Sequence, residues 1–387
     1  MRLAALRTRM IWALFVVFLV AVLFCLVMSY IIDIVLGYFL FDENFFALMN
    51  WWTIPFLEIT IPYPIFWYWA FIAAFIMVLF QWAIGPAAVR AAVKLNYVDA
   101  KSGGRFYRDV QELAGKADIP MPKVAVVNSP VPNAFVFGRT AGGATLAVHK
   151  GLLDNLSNRE IRGVLGHEIG HIRHRDIIVM TLASSIPLIA LMVLRGSLYG
   201  ARGASYSGRS SSDSDGAGAL IIALIAIAVV AAIAFGLSLL AVRGLSRMRE
   251  HYADAYSGEL TGDPRALSSA LARITWGLSL AEKAPSSGLR SFYIGDPKQA
   301  ASEVRYIRDH SREFDLDQDG VLDERELVAA MESEAKREKL AGIKASLSTH
   351  PPTYKRILLL YDLAEELGQR RRAKVTRDEA QPGLDEV

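Results

Sequence analysis

The residues best suited to chemistry are His167, Glu168 and His171, which form an H-E-x-x-H motif within GVLGHEIGHIRHRD. Histidines four positions apart lie on one face of a helix, about 6 Å apart along its axis, so both imidazoles can bind one metal ion. Glu168 lies beside that face, where it can take a proton from an attacking water molecule. The motif predicts zinc-dependent hydrolysis, and the alternative is that two histidines share this spacing by chance.

A catalytic zinc site needs a third protein ligand and an open position for water. The best candidate is in SRMREHYADAYSGEL, where Glu250 and Asp254 share a helical face. Glu250 would bind the metal and Asp254 would accept a hydrogen bond from a ligand histidine, although this spacing also occurs on solvated helix faces. His174 is a rival ligand, but it lies about 10 Å along the helix from His167, which is too far for one zinc ion. We interpret it as a histidine without a ligand role, together with His149, His251 and His310.

A second acidic cluster, FDLDQDGVLDEREL, matches the EF-hand calcium loop. That template requires oxygen ligands at loop positions 1, 3, 5, 7, 9 and 12, with glycine at position 6. Gly320 takes the turn position, and the oxygen ligands would be Asp315, Asp317, Asp319, the carbonyl of Val321, Asp323 and Glu326. The alternative is an acidic surface turn. Because the chain has no second such loop, we favour a structural role for calcium over a regulatory one.

Local signals place the H-E-x-x-H motif on a helix. Ser157 and Glu160 have the S-x-x-E spacing of a capping box, which marks a helix start. Apolar residues recur behind this start with helical spacing, at Ile161, Val164, Leu165, Ile169 and Ile172.

Four segments without charged residues predict a membrane protein. The chain has 387 residues, of which 53% are hydrophobic, and a helix of roughly 20 apolar residues crosses a bilayer. The segments are 10–32, 59–89, 177–194 and 216–242. For the short third segment, the alternative is a buried helix of a soluble domain. We expect the first segment to remain as a signal anchor, and the Gly/Ser-rich tract 200–218 to form a flexible extracytoplasmic linker.

Charge predicts the orientation and excludes some partners. The loop 33–58 contains no lysine or arginine, whereas positive residues follow the second segment at Arg90, Lys94, Lys101, Arg105 and Arg108. This asymmetry predicts a multi-pass protein of the cell membrane whose N-terminus and catalytic segments are cytoplasmic. The net charge of +3 is too small to suggest a nucleic-acid partner. The single cysteine, Cys25, excludes an intrachain disulfide.

The predicted fold class is a mainly α membrane protein: four transmembrane helices with a cytoplasmic α+β zincin-like metallopeptidase domain. The expected parts are an N-terminal membrane region (1–89), a first catalytic part with a small sheet and the H-E-x-x-H helix (90–176), the third and fourth spans (177–242), a helix with the third zinc ligand (243–283), an insertion with the calcium loop (284–345), and a C-terminal catalytic segment with a polar tail (346–387).

Four motifs and their order in the chain resemble those of the HtpX-like membrane zinc metallopeptidases, which are relatives of the CAAX prenyl proteases. The motifs are NAFVFGR, LAVHKGLLDNLSNREIRGVLGHEIGHIRHRD, SRMREHYADA and HPPTYKR. The resemblance implies zinc on His167, His171 and Glu250, with Glu168 as general base. It further implies that Asp254 supports the site, that Arg356 pairs with Glu250, that His350 helps to stabilise the tetrahedral intermediate, and that Asn133, Ala134 and Phe135 form an edge strand along which a peptide substrate pairs its backbone.

From these features we expect an endopeptidase that cleaves membrane or misfolded proteins at cytoplasmic segments near the bilayer. If both ligand helices continue into the third and fourth spans, the zinc ion lies about 9–12 Å from the membrane edge. One alternative is a membrane scaffold that binds zinc and calcium without hydrolysing peptides. Another is a CAAX-type prenyl-protein protease, which shares the catalytic residues but has a larger set of spans.

Overall fold

The computed structural model describes residues 2–41, 49–54, 59–64, 67–207, 214–279, 294, 313 and 350–380. The chain forms two compact units. The larger unit comprises Met1–Met10, Gly85–Ile178 and Arg243–Val387, and the smaller unit comprises Ile11–Ile84 and Val179–Val242.

The described residues contain four helices that are long and apolar enough to span a membrane. Their candidate spans are Met10–Ile31, Ala74–Ala92, Asp176–Ser205 and Gly218–Thr261. Large apolar side chains such as Phe18, Phe80 and Ile222 are exposed on these helices. Exposed apolar surface of this extent is unfavourable in water and suits a lipid environment. The prediction of a mainly α membrane protein with four transmembrane helices is therefore confirmed.

The helices and strands have these bounds, in chain order: α1 Arg2–Phe41, β1 Met49–Ile54, β2 Ile59–Pro64, α2 Trp67–Ala92, β3 Leu95–Val98, α3 Gly104–Lys116, β4 Lys123–Val127, β5 Ala134–Phe137, β6 Thr145–His149, α4 Lys150–Asn155, α5 Asn158–Arg173, α6 Asp176–Ser207, α7 Ser214–Thr261, α8 Pro264–Ser279 and α9 Thr353–Ala380. A 3₁₀ turn, Ala141–Gly143, precedes β6.

The predicted start of the second span, at residue 59, is wrong. Ile59–Pro64 forms β2, which pairs antiparallel with β1, and the helix begins only at Trp67. Pro62 and Pro64 lack a backbone N–H and disfavour a helix interior, whereas the consecutive β-branched residues 59–61 suit a strand. The absence of charge could not reveal this change from strand to helix.

The tract 200–218 is also different from the expected flexible linker. Helix α6 continues to Ser207 and α7 begins at Ser214, so most of the described part of this tract is helical. Alanines at 201 and 204 favour helix and compensate in part for the neighbouring glycines.

The larger unit contains a four-stranded mixed sheet with the order β3-β4-β6-β5. Strands β4 and β6 are parallel, and the other two neighbouring pairs are antiparallel. Helix α5 packs against β5, α3 and α8, and α8 also packs against α9. The buried core between these elements includes Leu113, Leu146, Leu165, Leu267 and Leu360.

Helix α5 has the predicted capping box. Ser157 accepts a hydrogen bond from the backbone N–H of Glu160 at 3.3 Å, and the Glu160 carboxylate accepts one from the Ser157 N–H at 2.7 Å. The predicted helix start is thus confirmed. The helix ends at Arg173, and Arg175 has a left-handed backbone with φ of 57° before α6 begins. The condition that both ligand helices continue into their spans is therefore met by α7, which is continuous through Glu250, but not by α5.

Candidate active site

The two histidines of the motif face each other inside the larger unit. Their Nε2 atoms are 3.1 Å apart, and His167 is only 1% exposed. Glu168 is 3% exposed and lies within electrostatic reach of both imidazoles. The one-turn spacing on α5 therefore directs two nitrogen ligand atoms to one point, with a buried carboxylate beside them.

Helix α7 supplies the third ligand atom, a carboxylate oxygen of Glu250. Glu250 Oε2 lies 3.6 Å from His167 Nε2, and Glu250 Oε1 lies 3.8 Å from His171 Nε2. One ligand atom from each of these three residues lies within 4.8 Å of the other two. Two imidazoles and one carboxylate form the donor set of catalytic zinc sites, so the residues present fit zinc.

A glycine on α5 permits this close approach of α7. A Cβ atom at Gly166 would lie 2.8 Å from Ser257 Oγ, which is closer than side chains tolerate. The Ser257 hydroxyl donates a buried hydrogen bond of 2.7 Å to the carbonyl of Gly163. These contacts fix α7 against α5 one to two turns from Glu250, which explains why the ligand positions on two separate helices meet.

A carboxylate orients each ligand histidine through its other ring nitrogen. Asp254 Oδ1 lies 2.9 Å from His167 Nδ1, and Asp176 Oδ2 lies 2.6 Å from His171 Nδ1. Such partners fix the ring so that Nε2 remains the metal ligand. Sequence reasoning assigned this role to Asp254 but missed Asp176, although its position five residues after His171 was visible in the motif.

Burial and neighbouring charges give the two histidines different protonation behaviour. Burial alone would lower the pKa of His167, but the neighbouring carboxylates of Asp254 and Glu250 outweigh it and raise the pKa to about 9. Burial, with the neighbouring His167, lowers the pKa of His171 to about 4. Burial also raises the pKa of Glu168, a direction that makes this carboxylate a better proton acceptor.

Arg356, in the first turn of α9, contacts two acidic residues of α7, Asp254 and Glu250. Its Nε and Nη2 donate to Asp254 at 2.8 and 2.7 Å, and its Nη1 lies 3.4 Å from Glu250 Oε2. The pairing with Glu250 that the resemblance implies is present, but the bidentate bond goes to Asp254. His350 also lies at this site, with Nδ1 3.7 Å from Glu250 Oε1.

The other predicted residues lie in two different settings. Asn133 precedes β5, and Ala134 and Phe135 lie in this strand, which is at one edge of the sheet. All three are buried. The calcium-loop residues Asp315 to Glu326 lie outside the described residues.

His174, the rival ligand, packs between two tyrosines. Its ring centroid is 4.5 Å from that of Tyr252 and 4.8 Å from that of Tyr256. Burial lowers its pKa to about 4. The ring therefore has an aromatic packing role of its own.

Replacing Asp176 with asparagine is expected to weaken zinc binding about 10- to 100-fold, because the partner that fixes the His171 ring loses its charge. Asparagine keeps the size of the side chain, which also contacts buried Arg249. The measurement is competition for zinc with a chelator, and the control is Asp263→Asn, which removes a carboxylate paired with Arg159. Equal zinc affinity in wild type and the Asp176 variant would contradict the orienting role.

The sequence matches peptidase family M48 over residues 101–364, which is more than half of the chain. It is 38% identical over 206 residues to a protease HtpX homolog of Methylibium petroleiphilum, covering 53% of this chain and 68% of that protein. It is 36% identical over 203 residues to a protease HtpX homolog of Methanothermobacter thermautotrophicus, covering 52% and 71%. With protease HtpX homolog 2 of Methanosarcina acetivorans, the identity is 35% over 255 residues, covering 66% and 81%.

Among solved structures, the chain is similar to S. mikatae Ste24p, with a TM-score of 0.44 and 16% identity over 89% of this chain and 66% of that one. The family match is the stronger finding, because its range contains the paired histidines of α5 and the acidic residues of α7 that meet them. Zinc is the metal that this family implies. The chain therefore belongs to peptidase family M48 and is an HtpX-like membrane metallopeptidase.

Proposed function

We propose that this protein is a zinc-dependent endopeptidase that cleaves membrane or misfolded proteins on the cytoplasmic side of the cell membrane. The observation that carries the proposal is the buried cluster of His167, His171 and Glu250 with Glu168 beside it. A scaffold that does not hydrolyse peptides would not need a buried carboxylate such as Glu168 beside the ligand cluster, so the presence of Glu168 favours the peptidase.

In the proposed reaction, His167, His171 and Glu250 hold the metal. When bound, zinc supplies Lewis acidity that lowers the pKa of water and polarises a carbonyl group. Glu168 takes a proton from the attacking water and delivers it to the leaving amine. His350, which lies at the Glu250 carboxylate, donates a hydrogen bond to the oxyanion of the tetrahedral intermediate.

The proposed substrate groove lies along the outer edge of β5, which pairs with no other strand among the described residues. The N–H of His149 donates to the carbonyl of Asn133 at 2.9 Å, so these two residues form a hydrogen-bonded pair of the antiparallel ladder. Because such pairs alternate along the strand, Ala134 and Val136 direct their N–H and C=O groups away from β6. An extended peptide can pair with these backbone groups whatever its side chains are, which suits unfolded substrates of varied sequence.

Two observations support cleavage at cytoplasmic segments close to the bilayer. Glu250 lies near the C-terminal end of the candidate span Gly218–Thr261, on the unbroken helix α7. Positive residues follow the second candidate span, whereas the loop 33–58 has none. The test is cleavage of an unfolded membrane-protein substrate by zinc-loaded wild-type protein and by Glu168→Gln. Cleavage by both proteins would contradict the proposal.

We also propose that the loop 315–326 binds calcium and braces the insertion that contains it. The support is the full match of its oxygen positions to the EF-hand template. Calcium at 100 times its dissociation constant is expected to raise the free energy of unfolding by about 2.7 kcal/mol. The measurement is thermal unfolding with and without calcium.

The matched variants for calcium are Glu326→Gln, which removes the bidentate ligand, and Asp213→Asn, which alters the similar but incomplete sequence SSDSDG. The first should abolish the stabilisation and the second should leave it unchanged. An identical melting temperature of the wild type with and without calcium would rule out the site.

A further inference from the structure

The side chain of Asn133 contacts a main-chain N–H group inside the protein. Its side chain is 1% exposed, and its Oδ1 accepts a buried hydrogen bond of 2.9 Å from the backbone N–H of Ile294. Ile294 itself is 3% exposed. The side chain is therefore directed at the protein interior, and the Asn133 carbonyl is bonded to His149 of β6. The backbone groups proposed for the substrate groove are those of Ala134 and Val136.

The carbonyl group of Ile294 contacts an active-site residue. The carbonyl of Ile294 accepts a hydrogen bond of 2.6 Å from Arg356 Nη1. The Nε and Nη2 of Arg356 donate to Asp254, and Nη1 itself also lies 3.4 Å from Glu250 Oε2. The main chain of Ile294 therefore donates one hydrogen bond to Asn133 and accepts one from Arg356. It connects Asn133 to the arginine that pairs with two residues of the zinc site.

We propose that Asn133 is a positioning residue for peptide hydrolysis. Its amide oxygen holds Ile294, and the Ile294 carbonyl fixes the rotation of the Arg356 guanidinium. This role rests on the proposed function of the site. It deepens that function, because it adds a residue far along the chain whose effect on the reaction passes through a main-chain group.

The geometry explains why a neutral carbonyl matters to this arginine. Two carboxylates compete for the planar fork, and a rotation of the guanidinium toward Glu250 would break the bidentate bond to Asp254. The Ile294 carbonyl occupies Nη1 and holds the fork in the orientation that serves Asp254. Asp254 then keeps its 2.9 Å contact with His167 Nδ1, so the ring orientation of a zinc ligand depends on this series of bonds.

Asn133→Ala is expected to lower kcat by about 10- to 100-fold with less than about a threefold change in KM, since a small displacement of catalytic groups has effects of this size. Asn133→Asp keeps an oxygen acceptor for the Ile294 N–H and should retain kcat within about fivefold of wild type. It also provides the test if the alanine variant does not fold. The control is Asn128→Ala, an exposed asparagine one residue after β4, which should leave both constants unchanged.

A second measurement separates positioning from substrate binding. The effect of Asn133→Ala should largely disappear when Arg356→Lys is already present, because lysine lacks the fork that the Ile294 carbonyl orients. The affinity for zinc, measured by chelator competition, should fall in Asn133→Ala and recover in Asn133→Asp.

Three results would overturn the proposal: a rise in KM at constant kcat in Asn133→Ala, additive effects of the Asn133 and Arg356 changes, or loss of kcat in Asn133→Asp equal to that in alanine. Failure of the proposed function is recognised separately, because Glu168→Gln would then retain cleavage whatever the Asn133 variants show.

Discussion

Glu168→Gln is expected to lower the rate of peptide hydrolysis by about 10²- to 10⁴-fold, the usual contribution of general acid–base catalysis. Glutamine fills the same buried space but cannot accept the proton of the attacking water. The three ligand atoms on His167, His171 and Glu250 are untouched by this change. We therefore expect bound zinc to remain at one equivalent, measured by metal analysis of the purified variant in detergent.

The control for this prediction is Glu259→Gln, an acidic residue on α7 outside the ligand cluster, which should cleave at the wild-type rate. Activity and metal content must be read together. A variant that loses both zinc and activity would indicate that Glu168 supports the metal site, and a variant that cleaves like wild type would remove Glu168 from the reaction.

The part of the site that depends on local geometry could be predicted from the sequence. His167, Glu168 and His171 are fixed relative to one another by helical spacing, and the capping box at Ser157 marks where that helix starts. The helix α7 and its carboxylate spacing were likewise visible. Local spacing could not predict that α5 and α7 pack together, because this packing depends on their close approach at Gly166.

The contacts that the sequence did not reveal involve the backbone or short connections. Every residue type except proline can supply the main-chain N–H and carbonyl of Ile294, so nothing in the sequence marks the link from Asn133 to Arg356. The break between α5 and α6 follows from a left-handed backbone at Arg175, which the apolar pattern does not show. That break also places Asp176 where it can reach back to His171.

The two units of the fold differ in how well composition predicts them. The candidate spans were found from hydropathy because lipid requires long apolar helices. Strand β2 falls inside the predicted second span, because the absence of charge does not distinguish a strand from a helix. The sheet of the larger unit was expected, but its order β3-β4-β6-β5 depends on long-range pairing that hydropathy does not encode.

Arg356→Ala is expected to destabilise the zinc-free protein by about 3–5 kcal/mol, the cost of leaving a buried charge without its partner. Asp254 is fully buried and Glu250 is 9% exposed, and both contact this guanidinium. The measurement is the free energy of unfolding in detergent with denaturant. The control, Arg273→Ala, removes an exposed arginine that pairs with Glu160 at 3.0 Å and should cost less than about 1 kcal/mol.

The same unfolding measurement with bound zinc separates the contributions of Glu250 and Asp254 to the loss of stability. A metal ion compensates the charge of Glu250, its proposed ligand, but Asp254 still depends on Arg356 and on the neighbouring His167. The loss of stability in Arg356→Ala should therefore be smaller with zinc than without it, yet should not vanish. A loss below about 1 kcal/mol in the zinc-free protein would contradict the pairing, and a loss that zinc removes completely would show that Glu250, rather than Asp254, is the carboxylate that needs this arginine.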